Sequence, residues 1–118
     1  MTQPDNNLPI LDQPVTVSNP ARSISVTTAN NFSTHIALTP AALNGVSEAE
    51  LAANILDVAR FSRDRDRANR ADRLVQERVA AGANEQECRT RIHRVNHLPT
   101  QQQVDEAYSS HYQAERDE

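Results

Sequence analysis

The stretch Val15–Leu51, VTVSNPARSISVTTANNFSTHIALTPAALNGVSEAEL, decides the fold. Val15 and Val17 alternate with Thr16 and Ser18, and Asn19-Pro20 is a turn signal. Ile24, Val26 and Thr28 then alternate with Ser23, Ser25 and Thr27. After Asn30-Asn31 the period of two continues, with Thr34, Ile36 and Leu38 against His35, Ala37 and Thr39. Three short alternating runs separated by turn residues predict an antiparallel meander. One face is aliphatic and the other rich in Ser and Thr, the pattern of a sheet with one face covered by a helix and one wet.

The covering helix begins in the same stretch. Ser47 with Glu50 three residues on reads as a capping box, and Val46 with Leu51 as a hydrophobic staple. Glu48 and Glu50 sit in the first turn, where the helix dipole favours carboxylates. Leu51, Ile55, Val58, Ala59 and Ser62 recur at helical spacing, with Leu56 beside them. The predicted core is therefore Ile24, Val26, Ile36 and Leu38 seated against Leu51, Ile55 and Val58.

Beyond Arg60 the helix becomes highly charged. From Asp57 to Arg78 there are seven Arg and five acids, spaced for pairs such as Asp57 with Arg60 and Asp66 with Arg70. Leu74, Val75 and Val79 resume an apolar face, and Ala81-Gly82-Ala83 reads as a stop. At about 36 residues this helix is too long for so small a sheet, so its second half must project or pack elsewhere. Asn84 with Glu87 caps a second helix carrying Cys88, Ile92 and Val95. Leu98-Pro99 breaks it, and Thr100 with Gln103 opens a third carrying Val104, Ala107 and Tyr108. The expected fold is α+β: a three-stranded antiparallel meander on a long helix, then two shorter C-terminal helices. The expected organisation is a flexible Pro-rich arm over 1–13, a β-β-β-α core over 14–82 and a helical extension over 83–118.

Composition narrows the function. The 118 residues suit one small domain, and a domain of this size buries roughly two-thirds of its unfolded surface. There is little to bury: two Phe, two Tyr, no Trp and 37% hydrophobic residues. A thin core favours self-association or a partner. The net charge of -4 argues against a general nucleic-acid binder. All 12 basic residues are Arg. A single cysteine, Cys88, allows no internal disulfide, no apolar run approaches membrane-spanning length, and the first residues lack a signal-peptide pattern. A cytoplasmic protein that binds no membrane is expected.

Catalysis finds no foothold. His93 and His97 stand at i, i+4, a spacing able to ligate zinc, but no third ligand accompanies them and they read as surface or helix-end histidines. With only Gly45 and Gly82 there is no Gly-rich phosphate loop. No cofactor, metal or small-molecule ligand is expected. The Arg-rich face, with Arg60, Arg63, Arg67 and Arg70 beside Leu74 and Val75, is the candidate surface for a protein partner or, secondarily, for DNA.

These residues also carry a resemblance. The segment from Val15 to Tyr112 is similar to the EspD/EspH family of mycobacterial type VII (ESX) secretion-associated proteins. The matching positions are Val17, Asn19, Pro20, Arg22, Ile24, Ser25 and Val26 in the strands. Ser47, Glu48, Glu50, Leu51, Ala52, Ile55 and Leu56 match at the helix start. "LPTQQQVDEAY", Leu98–Tyr108, looks like the family's later segments. A broader likeness, through Pro40, Leu43, Leu51, Ile55 and Ala59, is to the strand-to-helix passage of YbaB/EbfC nucleoid-associated proteins, which are dimeric and bind DNA. The first resemblance implies a non-enzymatic cytoplasmic factor that stabilises or chaperones secreted ESX substrates. The type VII export signature, a Tyr followed four residues later by an acid, is absent: Tyr108 leads to Tyr112 and Tyr112 to Arg116. Any export is therefore expected to accompany a partner. The second resemblance implies a DNA-binding alternative, and both imply a homodimer.

Overall fold

The computed structural model describes residues 13–116. The expected N-terminal arm therefore lies outside the described residues except for Gln13. The order is β1 (Val15–Ser18), β2 (Ile24–Ala29), β3 (Phe32–Leu38), α1 (Pro40–Leu43), α2 (Glu48–Ala80), α3 (Glu85–Val95) and α4 (Gln101–Arg116). The strands form an antiparallel sheet in the order β1-β2-β3, packed on the long α2, so the chain is α+β as its periodicities require. The short α1 starts on Pro40 and places Ala42 in the core. No described helix is long and apolar enough to cross a membrane.

Turn chemistry sets the registers. Between β1 and β2 the Asn19 side chain accepts from the backbone N–H of Ser23 (2.9 Å) and Ile24 (3.1 Å) and donates to Ser23 Oγ (2.9 Å). Arg22 takes the left-handed conformation that closes this loop. Between β2 and β3 the turn is the pair Asn30-Asn31, at φ 53° and 72°. Two positive φ values in a two-residue loop match the twist of a hairpin, and Asn tolerates that region better than most residues. The registers follow: Val17 opposes Val26, which opposes Ile36, and Ile24 opposes Leu38. One irregularity near Thr34 shifts the pairing so that Thr28 opposes Ser33.

On one face Ile24, Val26, Ala42 and Val58 form a buried cluster, with Val17, Leu51, Ile55 and Ala59 packed around it. Burying a side chain such as Val26 or Ile24 contributes about 1.5–3 kcal/mol. On the other face the polar residues pair across strands: Thr16 Oγ1 lies 2.7 Å from Thr27 Oγ1 and Ser18 Oγ 2.7 Å from Ser25 Oγ. The helix starts as expected, with the Ser47–Glu50 capping box formed in both directions. Those hydrogen bonds from the Ser47 backbone and hydroxyl hold the Glu50 carboxyl below its ordinary pKa.

Two expected core residues are not in the core. Ile36 and Leu38 point to the helix face but remain 48% and 42% exposed, and every residue of β3 is exposed. The reason is lateral: α2 lies over β2 and β1 and touches β3 only slightly. Leu56, beside the predicted stripe, is likewise turned outward at 68%.

The lean of α2 has a polar cause. Ser62, fully buried, sets its hydroxyl 2.7 Å from Thr28 Oγ1 and 2.9 Å from the Val26 carbonyl, with the Val15 carbonyl at 3.2 Å. One turn on, buried Asp66 accepts from the Asn31 backbone N–H at 3.1 Å. The helix is thus tied to the middle strand and to the hairpin tip. Replacing Ser62→Ala should destabilise the protein by about 1–3 kcal/mol, because the buried Thr28 hydroxyl loses its partner. Urea titration of Ser62→Ala, Thr28→Val and the double variant checks this, and the double variant should cost less than the sum.

Candidate protein-interaction surfaces

Past the sheet, α2 carries a second buried stripe: Phe61, Ala68, Ala71 and Val75. Phe61, Ala68 and Val75 are seven residues apart, so they share a face two turns apart. The C-terminal helices fold back onto this face. Ala71, Val75 and Ile92 form a core cluster packed by Leu74, Cys88 and Leu98. Leu74 and Val75, expected at a partner surface, are instead covered by α3, because the Gly82 turn (φ 106°) reverses the chain against them.

α4 returns further still. Phe61 meets Tyr108 edge-on at 5.4 Å between ring centroids, with His111 at 5.4 Å and Tyr112 at 5.7 Å. Three of the four Phe and Tyr rings thus gather at one point, where each edge contact adds about 0.5–1.5 kcal/mol beyond its buried area. The Tyr108 hydroxyl donates to the Ser18 carbonyl at 2.6 Å, and His111 Nε2 lies 3.1 Å from Asp57 Oδ2. Burial raises the Tyr108 pKa. Sequence reasoning put Tyr108 on a helix face but did not bring Phe61 to it. The available signal was that Phe61 precedes Val75 by two heptads.

The arginine ridge divides in two. Arg65 bonds Gln101 and Asp105 of α4. Arg67 Nη2 donates to the His97 carbonyl at 2.8 Å while its Nη1 lies 4.0 Å from Asp64, and Arg70 lies 4.0 Å from Asp66. Arg65 and Arg67 are struts that hold the returning segment, Arg70 pairs within α2, and only Arg60 and Arg63 of the four expected partner-binding arginines are exposed. Arg60 stacks its guanidinium 4.8 Å over the Phe61 ring. Asp57, expected to pair with Arg60, pairs with His111 instead.

A polar junction joins the three helices. Arg89 bridges Asp72 (2.9 Å) and Glu85 (3.2 Å), and Gln101 Nε2 donates to Asn69 Oδ1 (2.7 Å) and Asp72 Oδ2 (3.0 Å). Burial pushes the Asp72 carboxyl up, but the Gln101 and Arg89 hydrogen bonds and the charges of Arg89 and His93 outweigh it, leaving the pKa below the ordinary 3.8. His97 lies outside α3 at φ 56°, so it does not share a helical face with His93, whose Nδ1 is 2.8 Å from the Leu98 carbonyl. Among the described residues no group of three His, Cys, Asp or Glu is arranged to hold a metal ion.

The surface from the α2–α3 turn along the flank of α3 is grooved. One groove is lined by Arg78, Ala83, Asn84, Glu87, Cys88, Arg91 and Ile92. A second, sharing Glu87 and Arg91, runs on to Arg94 and Val95. Val95 is 61% exposed and Val79, next to Arg78, 38%. This is an apolar floor with a mainly cationic rim. Comparison with protein-family models, with curated proteins and with solved structures found no match.

The pH dependence of the junction follows from Asp72. A carboxyl whose folded pKa is depressed contributes stability above its unfolded value, about 3.8, and loses it as the pH falls through the lower folded value. Asp72→Asn should therefore lower stability at neutral pH, and the gap to the parent chain should close below about pH 3.8. Thermal melts of both proteins between pH 2.5 and 7, on the order of 10 points, measure it.

Proposed function

We propose that this chain is a non-enzymatic factor associated with type VII (ESX) secretion, acting in the cytoplasm to stabilise or chaperone secreted substrate proteins by direct protein–protein contact. The observation that carries the reading is the grooved surface that runs from the α2–α3 turn along the flank of α3. Its apolar lining, Ala83, Cys88, Ile92 and Val95, is rimmed by Arg78, Arg91 and Arg94. An amphipathic helix with apolar anchors at i, i+3, i+4 and i+7 and flanking carboxylates is the ligand such a surface accepts. The arginines suit carboxylates because the guanidinium pairs with them bidentately. The resemblance of the strand and helix-start residues to the EspD/EspH family supplies the identity of the client class.

Co-expression with type VII substrates should yield a complex that survives purification. Val95→Asp or Arg91→Glu should weaken it at least about tenfold, equal to 1.4 kcal/mol, with the circular dichroism of the free chain unchanged. Failure of every such substrate to co-purify sinks the reading.

DNA binding in the manner of the YbaB/EbfC proteins is the second reading, and it draws on exposed Arg60 and Arg63. Any affinity for duplex DNA should fall as salt rises, by about 0.9 log units per log unit of salt for each phosphate neutralised. With so few exposed cations on the ridge the slope should be shallow, and no gel shift of duplex at low salt removes this reading.

A further inference from the structure

The net charge of this chain is concentrated in one place. Residues 101–118 hold five acids and one Arg, which accounts for the whole net charge of -4. The preceding 100 residues are balanced, with 11 of each sign. α4, which begins this acidic segment, lies against α2, the helix that carries seven Arg between Asp57 and Arg78. An acidic helix thus covers part of the most cationic one.

The cover is shallow. Among the described residues of α4 only Val104 is buried, and neither hydrophobic cluster includes a residue of this helix. Gln101, Val104, Asp105, Tyr108, His111 and Tyr112 share one face by their spacing. Apart from Val104, that face is held by hydrogen bonds, charge and ring edges. Arg65 bonds Gln101 and Asp105, Asp57 faces His111, and Phe61 meets Tyr108, His111 and Tyr112. An element with so few buried apolar contacts is the kind that opens locally while the rest stays folded.

The chain is pinned up to α4 and can turn there. Arg67 holds the His97 carbonyl, His93 holds the Leu98 carbonyl, and Leu98 packs on the α2–α3 cluster. Pro99 follows. The cap that starts α4 is internal to it: Thr100 Oγ1 accepts from the Gln103 N–H at 3.0 Å, and Gln103 Oε1 accepts from the Thr100 N–H at 2.9 Å. Rotation about Pro99-Thr100 therefore lifts α4 away without breaking its cap or either cluster.

We propose that α4 is a hinged strap that opens as a unit and that, when closed, occupies a docking site on α2 for an acidic amphipathic helix of another protein. Opening uncovers the Phe61 ring, which is 2% exposed when the strap is closed. It also releases the Arg65 guanidinium, one turn from Phe61, while Arg60 stacks on the same ring. The exposed face is then an aromatic ring between two cations. α4 itself defines the occupant, a helix with a carboxylate three residues before an aromatic, as in Asp105 and Tyr108. The guanidinium takes the carboxylate and Phe61 takes the ring edge. This site is separate from the groove beside α3, so either can fail without the other.

Hydrogen exchange on the full chain tests the strap. A free helix of 16 residues is marginal in water, so opening should remove protection along its whole length. Amides from Val104 to Tyr112 should exchange with one common opening constant, at least about tenfold faster than those of β2. Raising NaCl from about 0.02 to 0.5 M should speed them at least about threefold relative to β2, because half-exposed ion pairs are screened. Graded fraying from the C-terminal end, exchange in step with β2, or no response to salt overturns the strap. A fluorescent peptide of the sequence Thr100–Arg116 tests the site. The tethered α4 competes at an effective concentration on the order of millimolar. The variant Asp105→Arg/Tyr108→Ala, which loosens the strap and leaves α2 unaltered, should therefore bind the peptide at least about tenfold more tightly than the parent chain. Adding Arg65→Glu should abolish that binding. Equal affinity for parent and variant, no binding to the variant, or binding that survives Arg65→Glu overturns the site. A double variant that does not fold also overturns the proposal, since both clusters are independent of α4.

Discussion

The attachment of α2 to the sheet depends on two buried polar side chains one helical turn apart. Ser62 reaches the Thr28 hydroxyl and the Val26 carbonyl, and Asp66 reaches the backbone of the hairpin tip at Asn31. Aliphatic contacts alone would let a helix slide or rotate over a small sheet at little cost, because hydrophobic burial is non-directional. Hydrogen bonds inside a low-dielectric contact do not allow this, since an unpaired buried group is costly. The clamp thus chooses one azimuth and one depth for α2.

From that choice the rest of the molecule follows. With Ser62 facing the sheet, Phe61 must face about 100° away around the helix, toward the side where α4 arrives. With α2 held over β2 and β1, β3 is left without cover. A chain with few large apolar residues thus spends them in two modest clusters, one under the sheet and one between α2 and α3. Arg65, Arg67 and Arg89 bind the layers together by charge-assisted bonds, which are stronger than neutral ones.

The same geometry divides the surface by chemistry. The α3 side has an arginine rim and suits an acidic, amphipathic partner. The β3 strand carries no Asp, Glu, Lys or Arg and leaves Ile36 and Leu38 partly exposed. The struts among the arginines also explain why a count of basic residues along α2 overstates the cationic surface. Arg65 and Arg67 are committed to α4 and to the His97 carbonyl, so their charge is partly spent within the fold.

Much of the fold was legible in the residues themselves. The period of two in Val15–Leu38, Asn30-Asn31, the Ser47–Glu50 box, Asn84 with Glu87 and Thr100 with Gln103 are local signals, because caps and turns are made between residues close in the chain. Alternation also assigned Ile36 and Leu38 to the correct face. It was silent on whether that face would be covered there, since coverage depends on where a distant helix comes to rest. The same limit applies to Leu74 and Val75, whose apolar character was plain but whose partner, α3, lies on the far side of a turn. Phe61 with Tyr108, Asp57 with His111 and Arg65 with Asp105 join residues more than 40 positions apart or at that distance, and no spacing rule reaches so far. By itself the sequence determined the elements, their order and their inward faces, through short-range hydrogen bonding and periodicity. Only the tertiary structure decided which apolar and charged groups remain available to a partner, because availability is what is left after long-range packing and pairing are complete.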